Sequence, residues 1–258
     1  MSWTKTPEEI HLMREGGAIL SAALKVAVDA VAPGVRLRDL DAAAEASMRA
    51  AGATPSFLGY KGKPHDPPFP STVCISVNEE VVHGSGARDR ELREGDIVGL
   101  DIGCWYKGLC TDMAVTVPVG KISEEASILL RVTREAMETA VAGLRVGGTV
   151  ADVGRVVERI VKPYKFGIVR ALVGHGVGHE VHEAPHVPNY YDAQYERTKL
   201  EEGQCLAVEP MVTLGDYHVK TESDGWSIVT VDGSLGAHFE VSLALVNGIP
   251  EILTPLPV

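Results

Sequence analysis

Apolar positions recur along this chain with two different periods, and each period predicts a different kind of element. Helical spacing predicts four helices, over residues 10–32, 37–51, 123–144 and 150–161. Alternation of apolar and polar residues predicts extended segments over 73–82, 96–117, 205–209, 226–231 and 238–246. The stretch 54–72 is dense in Pro and Gly and is therefore predicted to be a loop.

The ends of the helices carry local signals. Thr6 is suited to an N-cap, Pro7 to the first helical position and Glu9 to closing a capping box. A faint internal repeat relates residues 31–40 to 144–153, where in both cases a helix ends, a glycine turns the chain and a second helix starts. A chance match is one explanation. A true repeat predicts a single domain over 1–258 with two similar halves, roughly 1–120 and 121–258, around a central cleft.

Composition narrows the class of protein. A length of 258 residues fits one large α/β or α+β domain or two intimate halves, and 45% apolar residues can form a sizeable core. The net charge of −11 argues against a nucleic-acid partner, which would need a basic face. No secretory signal or run of roughly 18 apolar residues is visible, so we expect no membrane partner. The four cysteines are expected to be free thiols, and the expected location is cytoplasmic.

The segment 96–117 carries the first chemical signal. Its alternation predicts a hairpin in which Asp101 and Asp112 point away from the apolar side chains. A turn centred on Tyr106 and Lys107 would place the two aspartates directly opposite each other. Like charges in that position are destabilising, which suggests a cation between them. The alternative is that both carboxylates face water.

Three further residues favour the interpretation that a cation lies between the two aspartates. Glu209 and Glu240 lie in or at the end of apolar runs, where acidic groups are seldom buried unless they are paired or bind metal. His175 lies among glycines in GHGVG (174–178), in a stretch rich in histidine. Four carboxylates and one neutral imidazole balance two divalent cations, and this ligand set suits Mn(II), Fe(II), Co(II) or Zn(II). Two such ions can polarise a carbonyl for peptide hydrolysis.

A competing zinc motif is discounted. His182-Glu183-Ala184-Pro185-His186 matches HExxH, but that motif requires a helix to bring both histidines to one face. Pro185 removes an amide donor and disfavours helical geometry at the preceding residue.

Taken together, the motifs resemble those of type I methionine aminopeptidases, which have the creatinase-like "pita-bread" fold. The resemblance runs over nearly the whole chain. Its motifs are SVNEEVVHG (76–84), DIVGLD (96–101), TD (111–112), GHGVG (174–178), HEAP (182–185), VPNY (187–190), EPM (209–211), DGW (224–226) and FE (239–240). It implies an α+β fold in which two pseudo-symmetric halves share a central, curved antiparallel sheet covered by helices.

The resemblance also implies the metal ligands. Asp101 would chelate one metal ion, while Asp112 and Glu240 would bridge two ions. His175 and Glu209 would complete the shell of the second ion. The cofactors would be two divalent ions per chain, chosen among Co, Mn, Fe and Zn.

Other residues would act on the substrate. Glu209 would also be the general base, and His83 and His182 would hold the scissile amide and the developing oxyanion. The side chain of the N-terminal methionine would lie among Tyr60, Phe69, Cys74 and Trp226.

The chain departs from the family pattern at several positions. The loop 61–68 is longer than usual, and Phe57 and Val181 replace the residues expected at two pocket positions. His238 stands where the pattern usually has Gln. By strand alternation it shares a face with Glu240, so it is either a group that supports the ligands or an additional ligand.

The implied activity is removal of the initiator methionine from nascent polypeptides whose second residue is small. The implied state is a monomer with transient proximity to the ribosome. Two alternatives remain open. One is an Xaa-Pro aminopeptidase or dipeptidase of the same fold, and the other is a non-catalytic pita-bread binding module.

Overall fold

A computed structural model describes residues 3–63 and 65–257. Its described residues form four α-helices close to the predicted ones: α1 (Pro7–Asp29), α2 (Leu37–Ala50), α3 (Glu124–Gly143) and α4 (Ala151–Val161). Two short 3-10 helices follow at Lys162–Tyr164 and Ala193–Arg197. The predicted capping box of α1 is confirmed, because Glu9 N–H donates to Thr6 Oγ1 at 3.2 Å and Thr6 N–H donates to Glu9 Oε2 at 2.8 Å.

The strands form one large sheet and two small ones, and every pair of strands is antiparallel. The large sheet has the spatial order β1 (Thr54–Pro55), β4 (Ile97–Tyr106), β5 (Leu109–Pro118), β14 (Glu240–Val246), β9 (Cys205–Val208), β7 (Gly174–Gly176) and β8 (Glu183–Val187). Two more strands join it, β2 (Val73–Val77) beside β4 and β15 (Ile249–Ile252) beside β14. The predicted antiparallel α+β architecture is therefore confirmed.

The two small sheets have three strands each. One has the order β13 (Gly236–His238), β10 (Met211–Thr213) and β6 (Gly167–Ile168). The other has the order β11 (Val219–Thr221), β12 (Ile228–Thr230) and β3 (Glu80–Val82). The predicted loop 54–72 is irregular where it is described, apart from β1, and Pro64 within it lies outside the described residues.

The predicted hairpin forms, but the predicted register was wrong. The turn is the two-residue pair Lys107-Gly108, with φ of 50° and 84°, so that Tyr106 pairs with Leu109. Positive φ at both central positions is typical of the type I′ turn, whose twist matches that of a hairpin. Asp101 consequently pairs with Ala114, two positions away from the predicted partner Asp112.

The two stretches of the internal repeat lie at equivalent places. Residues 31–40 connect α1 to α2, and residues 144–153 connect α3 to α4. Gly34 and Gly147 turn the chain with φ of 87° and 86°. The division into two halves stays a prediction.

The main core lies between the helices and one face of the large sheet. It includes fully buried residues of α1, α2 and the hairpin, among them Leu20, Leu40, Leu100 and Val115. The opposite face of the sheet is thereby left free to carry polar side chains. Within the described part of the chain, no helix is long and apolar enough to cross a membrane.

Candidate metal centre and substrate cleft

Five neighbouring strands of the large sheet each deliver one predicted ligand to the same cleft. In the order β4, β5, β14, β9 and β7, they supply Asp101, Asp112, Glu240, Glu209 and His175, with Glu209 directly after β9. The residues are far apart in sequence, but strands in a sheet lie only about 4.8 Å apart. The sheet order therefore assembles the group.

Register determines how the carboxylates meet. Asp101 on β4 and Glu240 on β14 pair with the same residue, Ala114, from opposite sides. Asp112 pairs with Gly103, which has no side chain. Small residues therefore lie beside the carboxylates, which leaves space between the acidic side chains.

Two overlapping groups of ligand atoms result. Asp112, His175 and Glu240 each place one ligand atom within 4.8 Å of the others, and so do Asp101, His238 and Glu240. Glu240 belongs to both groups, as expected for a residue that lies between two ions. His238, the residue that departs from the family pattern, belongs to one of them.

Burial penalises charge throughout the cluster. Desolvation raises the pKa of Asp101 to about 7, although hydrogen bonds to Asp112 and Cys74 oppose the shift. Desolvation and neighbouring carboxylates raise the pKa values of Asp112, Glu209 and Glu240 well above the usual range. Burial, helped by His182, lowers the pKa of His175 to about 3, so that its imidazole is neutral.

The polar atoms of the cluster fit divalent cations. Among the described residues, Asp101 Oδ1, Asp112 Oδ1 and Glu240 Oε1 are buried and have no hydrogen-bond partner. Such oxygens are costly to bury unless something compensates them. Buried carboxylates that converge with a neutral imidazole are a ligand set for borderline divalent ions, and cations would provide that compensation.

Neighbouring groups orient the ligands. His175 Nδ1 lies 2.9 Å from the carbonyl oxygen of Gly176, so it is the donor there, and Nε2 lies 3.3 Å from Glu209 Oε1. Asn189 Nδ2 donates to the carbonyl oxygen of Glu209 at 3.0 Å. Ser242 Oγ joins β14 to β5 by accepting from the Asp112 N–H and donating to the Asp112 carbonyl.

The predicted ligands line a cleft of about 370 Å³. All of the other predicted site residues also line it: Tyr60, Phe69, Cys74, His83, His182 and Trp226. The structure thus brings every predicted site residue into one cavity, while their roles stay predictions.

Two histidines line the same cleft as the predicted ligands. The rings of His182 and His175 meet edge to face with centroids 4.4 Å apart, and Tyr60 Oη lies 2.9 Å from His182 Nδ1. His83 has a φ of 60°, a left-handed conformation that is uncommon outside glycine and often found at functional sites. Desolvation lowers the pKa of His83 to about 4 and also lowers that of His182, so both rings are neutral near pH 7.

One wall of the cleft is apolar. Phe69 and Trp226 meet edge to face at 5.3 Å, and Cys74 on β2 pairs with Asp101 on β4. Phe57 lines the cleft too, whereas Val181 is buried in the hydrophobic cluster behind this wall. Sequence reasoning missed five further apolar residues that line the cleft: Val82, Ala171, Leu172, Val173 and Met211. Residues 171–173 carry no motif, and only their position directly before GHGVG could have indicated them.

The segment that matches the HExxH pattern, residues 182–186, is not helical, as expected. Residues 183–187 form β8, and the Glu183 carboxylate is paired with Lys5, with both side chains fully buried. His186 lines the cleft but belongs to neither ligand group.

Comparisons with known proteins agree with this geometry. The model of metallopeptidase family M24 matches residues 11–245. The chain is 43% identical over 250 residues to a methionine aminopeptidase of Clostridium acetobutylicum, covering 97% of each chain. It superimposes on a methionine aminopeptidase of Thermotoga maritima with a TM-score of 0.92 and 39% identity, covering 97% of this chain and 98% of that one. A prolidase from Pyrococcus furiosus shares the fold, with a TM-score of 0.77 and 24% identity, but this chain covers only 65% of it.

Proposed function

Because this chain belongs to metallopeptidase family M24, we propose that its buried cluster binds two divalent cations and serves hydrolysis of the bond after an N-terminal methionine. The protein has the pita-bread fold and methionine aminopeptidase activity. The observation that carries the two-ion proposal is the presence of Glu240 in both ligand groups. Four carboxylates also supply the charge that two divalent cations require.

The ligands divide between two positions. Asp101 would hold one ion, His175 and Glu209 the other, and Asp112 and Glu240 would contact both. When bound, such ions supply Lewis acidity toward the scissile carbonyl and toward water. The carbonyl of Gly176 and the side chains of Asn189 and Ser242 hold the proposed ligands in place by hydrogen bonds.

Glu209 is the proposed general base. Its carboxylate is buried and faces the cleft beside the other proposed ligands, so it is placed to take a proton from water there. The bond from Asn189 to its backbone carbonyl fixes the segment that carries it. The proton would then pass to the leaving amine.

His83 and His182 are the proposed donors to substrate. Their neutral rings can donate one N–H into the cleft while the other nitrogen accepts. For His182, a Tyr60 hydroxyl that donates to Nδ1 would leave the ring proton on Nε2. Donors fixed in this way stabilise the oxyanion that develops at the carbonyl.

The side chain of the substrate's N-terminal methionine would pack against the wall formed by Tyr60, Phe69, Cys74 and Trp226. A thioether contacts aromatic edges favourably, and the edge-to-face pair Phe69–Trp226 presents such edges.

We further propose that the substrates are nascent polypeptides with a small second residue. The protein would meet them in the cytoplasm, as a monomer transiently near the ribosome. All four cysteines are free and buried, in keeping with a reducing compartment.

The test is release of free methionine from Met-Ala-Ser and Met-Lys-Ser. Protein stripped by a chelator is resupplied separately with Mn(II), Fe(II), Co(II) or Zn(II), alongside Asp112→Asn and the surface control Asp29→Asn. Metal-dependent release from Met-Ala-Ser, lost only in Asp112→Asn, is expected. Absence of release with every metal would overturn the proposal.

An Ala-Pro peptide and a metal analysis address the two alternatives. Cleavage of Ala-Pro in preference to Met-Ala-Ser would indicate an Xaa-Pro peptidase. A protein that binds none of the four metals would be a binding module rather than an enzyme.

A further inference from the structure

His238 is a buried histidine in the cleft that none of the proposed catalytic roles uses. It ends β13, two residues before Glu240, and is only 4% exposed. Its backbone is held on both sides, since His238 N–H donates to Thr116 Oγ1 and Thr116 Oγ1 donates to the His238 carbonyl, each at 2.9 Å. These bonds fasten the backbone of the residue to β5, and its side chain is directed into the cleft.

That direction is toward the carboxylates. His238 Nε2 lies 3.7 Å from Glu209 Oε2 and 3.7 Å from Glu240 Oε2. Among the described residues, Nε2 has no hydrogen-bond partner. A buried ring nitrogen without a partner is costly, so the position needs an explanation.

The distances from His238 Nε2 distinguish a hydrogen bond from coordination of a shared cation. A nitrogen and an oxygen joined by a hydrogen bond lie about 2.7–3.2 Å apart, and 3.7 Å is too long. Two donor atoms that each bind one cation at about 2.0–2.2 Å can lie up to about 4.2 Å apart. The separation of His238 Nε2 from Glu240 Oε2, a residue assigned to both ions, is therefore that of two ligands around a shared ion.

We propose that His238 is a sixth protein ligand, bound through Nε2 to the cation that Asp101 holds. This inference deepens the proposed function and rests on it. Asp101, His238 and Glu240 already form one of the two ligand groups, and Asp112, His175 and Glu240 form the other. Each cation then receives one imidazole, and neither position is bound by oxygen alone.

The extra imidazole changes which metals the Asp101 position prefers. Carboxylate oxygens alone suit Mg(II) and Mn(II), whereas an imidazole favours Zn(II), Fe(II) and related ions. The affinity ratio of Co(II) to Mn(II) at this position should therefore fall when His238 is replaced. Loss of a supporting group typically costs about 10- to 100-fold in metal affinity, and loss of a direct ligand should cost at least as much.

The first measurement uses the unaltered protein, so it does not depend on whether any variant folds. Metal-free protein is loaded with two equivalents of Co(II), and X-ray absorption at the cobalt edge counts the imidazoles per ion. About one imidazole per ion is expected with His238 bound, and about half of that if His175 is the sole imidazole ligand. The lower count would overturn the inference.

The second measurement compares His238→Gln with His186→Gln by calorimetric titration with Co(II) and with Mn(II). His186 lines the same cleft outside both ligand groups and is the matched control. The expected result is a loss of about 10-fold or more in Co(II) affinity at one of two positions, in His238→Gln only. Two unchanged binding events in His238→Gln would contradict a ligand role, as would weaker binding with an unchanged imidazole count.

Failure of the underlying function gives a different result. If the unaltered protein takes up no Co(II) and releases no methionine, the metal centre itself is refuted together with its sixth ligand. If it binds two ions and releases methionine but shows the lower imidazole count, only the role of His238 is refuted.

Discussion

Asp101 and Asp112 lie on adjacent antiparallel strands two positions out of register, because Asp101 pairs with Ala114 and Asp112 pairs with Gly103. The two carboxylates are diagonal neighbours on one face of the sheet, and burial raises the pKa of both. Two buried like charges this close cannot both ionise without a compensating charge. Without cations, the cluster therefore holds protons at neutral pH.

Asp112→Asn should change activity and stability in opposite directions. The amide cannot replace the carboxylate as a bridging ligand, so methionine release is lost. In the metal-free protein the same change removes a buried acid whose pKa is strongly raised, so the free energy of unfolding at pH 8 should rise by about 1 kcal/mol or more. Urea denaturation with a chelator measures this difference, which should vanish near pH 4.

The control is Asp29→Asn, which removes an exposed carboxylate paired with Lys25. Its effect should stay within about 0.5 kcal/mol at either pH. A metal-free Asp112→Asn variant less stable than the unaltered protein at pH 8 would show that Asp112 stabilises the fold rather than costing it stability.

The stability of the metal-free protein should fall as pH rises above 6.5. Burial raises the pKa of Asp101 to about 7, so near neutrality the folded chain holds protons that the unfolded chain has lost. Stability from this source is present below the unfolded pKa of about 4 and is lost as pH rises through about 7. Buried His83, His175 and His238, with pKa values lowered to about 4, 3 and 3, have the opposite effect, but only below about pH 6.5.

Differential scanning calorimetry between pH 6.5 and 8 isolates the contribution of the buried carboxylates to stability. With a chelator present, we expect a loss of about 1–2 kcal/mol, or about 2–8 °C in Tm. With excess Mn(II) or Co(II), Tm should instead rise with pH, because cations bind the deprotonated ligands. A Tm that rises with pH in the chelator would contradict the raised carboxylate pKa values.

Tyr60→Phe should lower kcat about 10-fold and change KM less than about twofold. The phenyl ring keeps the wall of the methionine pocket, while loss of the hydroxyl removes the bond to His182 Nδ1 that would hold the ring proton on Nε2 in the proposed mechanism. An effect on kcat alone is typical of an interaction made in the transition state. Steady-state kinetics with Met-Ala-Ser measures both constants.

Tyr191→Phe is the matched control, since this exposed tyrosine donates to Glu196 and does not line the cleft. Its kinetics should equal those of the unaltered protein. If Tyr60→Phe raised KM with kcat unchanged, Tyr60 would serve binding of the methionine side chain and not the orientation of His182.

Gly17→Ala and Gly143→Ala should change stability in opposite directions, although both glycines lie in helices. A Cβ on Gly17 in α1 would overlap the backbone of Leu253, so we expect a loss of about 1–3 kcal/mol. Gly143, at the end of α3, has nothing within 4 Å of a Cβ, and alanine there should add about 0.4–1 kcal/mol. Urea denaturation measures both, and equal effects would refute the close contact between α1 and the C-terminal segment.

The position and type of most elements could be predicted because the signals are local. Thr6 and Glu9 lie within one helical turn of each other, and their capping box forms as predicted. The unusual placement of Glu209 and Glu240 in apolar runs also indicated buried carboxylates, and both residues are buried. What local patterns could not specify was which strands become neighbours, since that depends on pairing between segments more than a hundred residues apart.

The sequence by itself determined which side chains share a face of the hairpin, even though the predicted register was wrong. Side chains alternate with a period of two, so an error of two residues keeps Asp101 and Asp112 on one face. Only the tertiary structure decided that Ala114, and not Asp112, lies opposite Asp101, because the turn takes two residues with positive φ. Strand order likewise brought His238 beside Glu209 and Glu240, since the distance between side chains on different strands depends on packing and not on sequence separation.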